Sequence, residues 1–265
     1  CLMKKLFLAA SLMLLFAPVL MLAQNGFDGT WKIDVNNAQF PKKPDVYLLQ
    51  NGTYECKTCV PPVKVKADGT DQTVTGHPYY DTAAIKVVND HQVEETDKKN
   101  GKTVTTSKTT VSPGGNTLTF EYTDSSNSNA EPVTGKGEET RVAKGPAGSN
   151  AISGSWRISK FDTVSDNGVT FTYKVSGNEL TMTAPTGQSY TAKLDGTNAP
   201  YKGDPGTDGV SVKMMGKNTL VETDKRGDKV ISVSKMTLAP DGKTAKIVLE
   251  DKLHGTTTQA TAVKQ

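Results

Sequence analysis

Apolar and polar residues alternate with a period of two along most of this chain. Val169, Phe171, Tyr173 and Val175 alternate with Thr170, Thr172 and Lys174. Val210, Val212 and Met214 alternate with Ser211 and Lys213, and Ala83, Ile85 and Val87 repeat the pattern earlier. Such a period buries one face of a strand and wets the other, as in antiparallel sheet. Asn51-Gly52, Asp68-Gly69, Asn100-Gly101, Gly114-Gly115, Asp195-Gly196 and Asp241-Gly242 separate the runs. Asn-Gly and Asp-Gly supply the positive φ that tight hairpins need. No segment carries a helical period. The stretch 35–44 reads as irregular, because Pro41 and Pro44 oppose a helix.

The pattern occurs twice. Residues 66–124 align without a gap on 193–251 when shifted by 127, with 20 of 59 positions identical. Glu95-Thr96-Asp97-Lys98 meets Glu222-Thr223-Asp224-Lys225, and Leu118, Phe120 and Tyr122 meet Ala245, Ile247 and Leu249. A fixed long period means two copies of one structural unit. Trp31 and Trp156, the only tryptophans, open the copies in Gly29-Thr30-Trp31 and Gly154-Ser155-Trp156. Residues 144–150, rich in Gly and Ser, read as a linker. The expected division is therefore 24–143 for the first unit and 151–265 for the second. Each is long enough for a single-core domain.

Ahead of the first unit, Lys4-Lys5 and the apolar run 6–22 followed by Ala23 have the layout of a secretory signal peptide. Segment 1–23 is expected to be removed, which leaves no further run of membrane length and predicts an exported, periplasmic or extracellular protein. The formal charge of +3 includes Lys4 and Lys5, so the mature chain is nearly neutral. Without a basic stripe interleaved with aromatics, a nucleic-acid partner is not expected.

Strands joined in sequence by tight turns favour up-and-down barrels, whose closure removes exposed edges. Phe27-Asp28-Gly29-Thr30-Trp31-Lys32-Ile33 resembles the opening of intracellular fatty-acid-binding proteins, and Gly-x-Trp in both copies is similar to the lipocalin signature. Glu139-Thr140-Arg141-Val142 resembles the closing strand of the fatty-acid-binding proteins. The central block is more similar to exported bacterial proteins with lipocalin-like repeats than to a known carrier. Together these residues resemble the calycin superfamily. The chain departs from it in having no helical lid, Ala143 at the closing Tyr, and no Arg at the end of the second copy. The predicted fold is all-β: two tandem antiparallel up-and-down β-barrels, lipocalin-like, with about eight or nine strands each.

The resemblance implies a small apolar or amphipathic ligand inside the barrel, with Trp31, Trp156, Phe120, Tyr122 and Arg141 as candidate binding residues. It also implies that Arg141 points inward toward a ligand carboxylate. The competing reading makes both tryptophans core plugs and Arg141 a solvent-facing residue.

Cys56 and Cys59 align with Thr183 and Thr186, so the pair is particular to the first copy. A redox dithiol wants a helix N-terminus, and a metal site wants further ligands. A local disulfide across a turn suits an exported chain best. His77, His91 and His254 are not paired at ligand spacing. The Glu-Thr-Asp-Lys segments alternate charges before a turn and read as solvated strand ends. No nucleophile sits beside a base in a recognisable motif, so neither catalysis nor a cofactor or metal is expected. Two functions remain. One is a non-enzymatic binding protein for a small apolar or amphipathic ligand. The other is a structural or protein-interaction module of the cell envelope with side-chain-filled barrels and partners unspecified.

Overall fold

The structure is a computed structural model that describes residues 25–127 and 131–265. The expected signal peptide lies outside the described residues. Among the described residues, twenty strands and one short 3-10 turn, Asp166–Gly168, account for the regular structure. The first ten strands are β1 (Gly29–Gln39), β2 (Asp45–Gln50), β3 (Thr53–Cys56), β4 (Val63–Lys66), β5 (Gln72–Thr73), β6 (Thr82–Asn89), β7 (Gln92–Lys99), β8 (Lys102–Val111), β9 (Thr117–Asp124) and β10 (Val133–Lys144). The rest are β11 (Gly154–Val164), β12 (Thr170–Ser176), β13 (Glu179–Thr183), β14 (Ser189–Lys193), β15 (Asp195–Pro200), β16 (Gly209–Met215), β17 (Thr219–Arg226), β18 (Lys229–Leu238), β19 (Thr244–Asp251) and β20 (Thr256–Lys264).

They form two nearly closed antiparallel barrels of ten strands each. That is one or two strands more than the spacing predicts, because short β5 and β15 pair at the barrel edges. The stretch 35–44, expected to be irregular, is strand as far as Gln39. There β1 bulges against β20, its register jumping between Asp34 and Gln39. The second barrel is drawn together at its edges by paired backbone bonds between Ser189 and Lys202, 3.0 and 2.9 Å. The first is drawn together where Gly69 N–H donates to the Ile85 carbonyl at 2.8 Å.

The barrels do not follow the boundary between the copies. In the first barrel the order is β4-β3-β2-β11-β10-β9-β8-β7-β6-β5, and in the second it is β14-β13-β12-β1-β20-β19-β18-β17-β16-β15. The first strand of each copy has crossed into the other copy's barrel. β11 pairs with β10 and β2, whereas β1 pairs with β20 and β12. The linker explains why. Residues 145–153 turn the chain straight back, so β11 pairs with β10 as a hairpin and fills the place β1 would take. β1 then completes the equivalent gap in the second barrel, beside β12, through Thr30 Oγ1 and Thr172 Oγ1 at 2.9 Å.

Each exchanged strand carries a fully buried tryptophan into the other copy's core. Trp31 packs with Leu180, Val210, Val212 and Leu220, and Trp156 packs with Leu49, Ile85, Val93 and Leu118. Truncating such a side chain typically costs about 3–5 kcal/mol, so each barrel depends strongly on a strand from the other copy. Both indoles satisfy themselves locally: Trp31 Nε1–H donates to the Phe27 carbonyl and Trp156 Nε1–H to the Ile152 carbonyl, each at 2.8 Å.

Candidate binding cavity of the first barrel

Period two places Val93, Glu95 and Asp97 on one face of β7, and Leu220, Glu222 and Asp224 on the matching face of β17. Val93 and Leu220 are core residues, so both acids of each strand turn inward with them. The expectation that the Glu-Thr-Asp-Lys segments are solvated strand ends is therefore wrong. The charged sequence hid an apolar face that continues through it. Asp97 is only 8% exposed.

In the second barrel Glu222 is answered from within and Asp224 only through Oδ2, its Oδ1 having no partner among the described residues. The hydroxyls of Tyr173 and Tyr190 both donate to Glu222 Oε2, the former at 3.2 Å. Ser232 Oγ–H donates to Asp224 Oδ2 at 2.6 Å. Burial and the neighbouring Asp224 raise the pKa of Glu222.

The first barrel differs at two corresponding positions. Tyr190 lies opposite Met182, and Val63 lies opposite Cys56 at the matching place, so Glu95 loses one tyrosine donor. Ala262 lies opposite Ala245, and at the matching place Glu139 lies opposite Leu118. A third carboxyl thus enters the first barrel where the second has a methyl group. Glu139 is 6% exposed, and its Oε2 has no hydrogen-bond partner among the described residues. Asp97 Oδ1 is likewise without one. Burial pushes the Glu139 carboxyl up to about 7, with Asp45 adding to the effect. Burial also raises Glu95 and Asp97, and Asp97 feels Glu95 and Asp124 as well. The neighbouring charges that shift these acids are all negative.

Glu95 and Glu139 border a cavity of about 350 Å³. Its walls are Tyr47 of β2, Tyr54 of β3, Val93 and Glu95 of β7, Ser107 and Thr109 of β8, Leu118, Phe120 and Tyr122 of β9, and Glu139 of β10. Ile152, Ile158 and Phe161 of the second copy complete them, the latter two on the exchanged strand β11. The aromatic lining is mutually packed: Phe120 meets Phe161 edge-on at 5.5 Å, and Tyr47 stacks near Tyr54 at 6.4 Å. Tyr122 and Phe120 lie opposite Gly135 and Gly137 of β10. A β-carbon on either glycine would run into those rings, so the two glycines let the aromatic side chains lie flat against the sheet. Glu94, Lys108, Glu121 and Lys136, on the opposite phase of the same strands, rim a separate open cleft of about 640 Å³.

Of the residues proposed from sequence, Phe120 and Tyr122 line this cavity. Trp31, Trp156 and Arg141 do not. The Arg141 guanidinium donates to the carbonyls of Gly115, Ser153 and Ala151, the last two at 2.7 and 2.6 Å, and lies 3.8 Å over the Trp156 ring. Half-buried, it does not reach inward for a ligand carboxylate, because its donors are committed to backbone. Gly154 is needed beside it: φ is +136°, and a β-carbon there would meet the Ala143 carbonyl and Arg141. Lys264 takes the matching place over Trp31, 4.9 Å from its ring, and donates to the Gly26 carbonyl at 2.7 Å. The closing strand of the second copy, which has no Arg, thus carries a cation in the same position.

Cys56 and Cys59 form the expected disulfide, with Cα atoms 5.5 Å apart. The bridge ties the turn after β3 to the buried end of that strand. His254 Nδ1 lies 2.6 Å from Asp251 Oδ2, and His91 Nδ1 lies 3.2 Å from the Val111 carbonyl oxygen. His77 stacks on Tyr80 at 4.6 Å. Among the described residues, no three His, Cys, Asp or Glu side chains converge to hold a metal ion. No helix among them is long and apolar enough to cross a membrane. The paired, nearly closed barrels are consistent with a calycin-like fold. Neither a protein-family model nor a curated protein matches the chain.

Proposed function

We propose that this is an exported, lipocalin-like binding protein that takes a small amphipathic molecule into its first barrel, with the second barrel as a filled structural partner. The observation that carries the reading is the cavity of about 350 Å³, walled by aromatic and aliphatic side chains and holding a few polar groups. That composition and size suit a ligand pocket. The difference between the copies supports the division of labour. Glu222 is held by Tyr173 and Tyr190, whereas Glu139 Oε2 is left unsatisfied in the first barrel. An unmade hydrogen bond to a buried acceptor costs about 1–3 kcal/mol, a cost that a ligand donor would remove. The disulfide and the sequence of 1–23 support export. The role is binding and not catalysis.

Mass spectrometry of the purified full chain tests this, first under native conditions and then after unfolding in organic solvent. A stoichiometric small molecule released on unfolding is the expected result. An apo mass, together with no uptake of any small amphipathic compound, would favour the alternative of an envelope interaction module.

A further inference from the structure

The proposed binding reading leaves the chemical class of the ligand open, and the polar groups of the cavity narrow it. Glu95 and Glu139 both line the same cavity, and Asp97 follows Glu95 on the same face of β7. Glu139 is more than nine-tenths buried and its Oε2 has no partner among the described residues. The nearest cation by sequence, Arg141, is spent on three backbone carbonyls and the Trp156 ring. The second barrel answers Glu222 with Tyr173 and Tyr190 and places Ala262 where the first has Glu139, so what it leaves without a partner is Asp224 Oδ1, the counterpart of Asp97 Oδ1. The first barrel therefore adds a buried carboxyl, Glu139, whose Oε2 has no donor among the described residues, set among aromatic faces.

We propose, resting on the binding reading above, that the ligand is an organic cation: an amine whose ammonium group lies between Glu95 and Glu139 and whose apolar tail lies against Tyr47, Tyr54 and Phe120. Ammonium donors satisfy the carboxylates by charge-assisted hydrogen bonds, and aromatic faces attract the same charge. A fatty acid would bring a second anion to an acidic interior. A bare metal ion would need convergent ligands, which are absent among the described residues.

Three probes of nearly equal shape separate the possibilities: 4-phenylbutylamine, 4-phenylbutanol and 4-phenylbutanoate, titrated calorimetrically into the full chain at neutral to mildly alkaline pH. The amine is expected to bind at least about ten-fold more tightly than the alcohol, and the carboxylate more weakly than either. In the Glu95→Gln/Glu139→Gln variant the preference should shrink toward one while alcohol affinity is kept, which also shows that the variant is folded. Glu139→Gln alone should lose part of the preference. Alcohol binding equal to or tighter than amine binding overturns the organic-cation assignment and leaves the cavity reading standing. Binding of none of the three up to about 1 mM overturns both.

Discussion

Arg141, near the end of the first copy, lies 3.8 Å over the ring of Trp156, which opens the second. The two stand opposite each other on neighbouring strands, just as Lys264 stands opposite Trp31. Each cation closing one copy covers the tryptophan that opens the other. The contact records the strand exchange and seals one end of each barrel.

Removing that seal should cost more in the first barrel. Arg141→Ala deletes three hydrogen bonds to carbonyls and the ring contact, and should lower the unfolding free energy by about 2–4 kcal/mol. Arg141→Lys should recover only part of it, because an ammonium cannot reach three diverging carbonyls in one plane. Lys264→Ala should cost about 1 kcal/mol or less. Urea unfolding of the three variants checks the order, and equal losses at Arg141 and Lys264 would contradict it.

The exchange can be trapped covalently. Thr30 stands directly opposite Thr172, their hydroxyls 2.9 Å apart. Thr30→Cys with Thr172→Cys should form a disulfide within the monomer. Val46 occupies the place in the first barrel that Thr172 holds in the second. Thr30→Cys with Val46→Cys should stay reduced, and a cross-link there would mean that β1 pairs within its own copy.

The native disulfide predicts its own chemistry. Alkylation of the non-reduced protein should leave Cys56 and Cys59 unlabelled. Replacing both with serine should cost about 2 kcal/mol, the loop-closure value for so short a ring. Labelling of both residues without reductant would remove the bridge.

Stability should fall as pH rises, contrary to the usual behaviour of carboxylates. The Glu139 carboxyl moves from 4.5 to about 7, so between those values the folded chain binds more protons than the unfolded chain. Unfolding free energy then decreases with pH across that window. The stabilising contribution is full below about 4.5 and lost as pH rises through about 7. Burial lowers the pKa of His77 and works in the opposite sense toward acid, so the clean measure is the difference between wild type and Glu139→Gln. The variant should be more stable by roughly 1–3 kcal/mol at pH near 8 and no more stable near pH 5. A constant difference across the range would contradict burial of an ionising Glu139.

The alternation of Leu118, Phe120 and Tyr122 makes the all-β barrels legible in the residue pattern itself, and the shift by 127 makes their pairing plain. Phe120 and Tyr122 are legible as binding candidates because they share an inward face with Leu118. Glu95 and Asp97 are harder to place, although the signal is present: Val93-x-Glu95-x-Asp97 keeps the buried phase, while charge alone suggests solvent. Glu139 cannot be seen as interior without the register that sets it opposite Leu118. The exchange of β1 and β11 is hidden for another reason. The two first strands are so alike that either fits either barrel, and the hairpin across 145–153 decides which one goes where.

The central claim is a ligand inside the first barrel, and methyl NMR of the full chain tests it most directly. Ile152 and Ile158 line the cavity, whereas Ile231 and Ile247 belong to strands of the second barrel. Titration with 4-phenylbutylamine should shift the Ile152 and Ile158 methyl signals saturably and leave those of Ile231 and Ile247 in place. Unmoved Ile152 and Ile158 at saturating probe, or shifts confined to Ile231 and Ile247, would contradict the account.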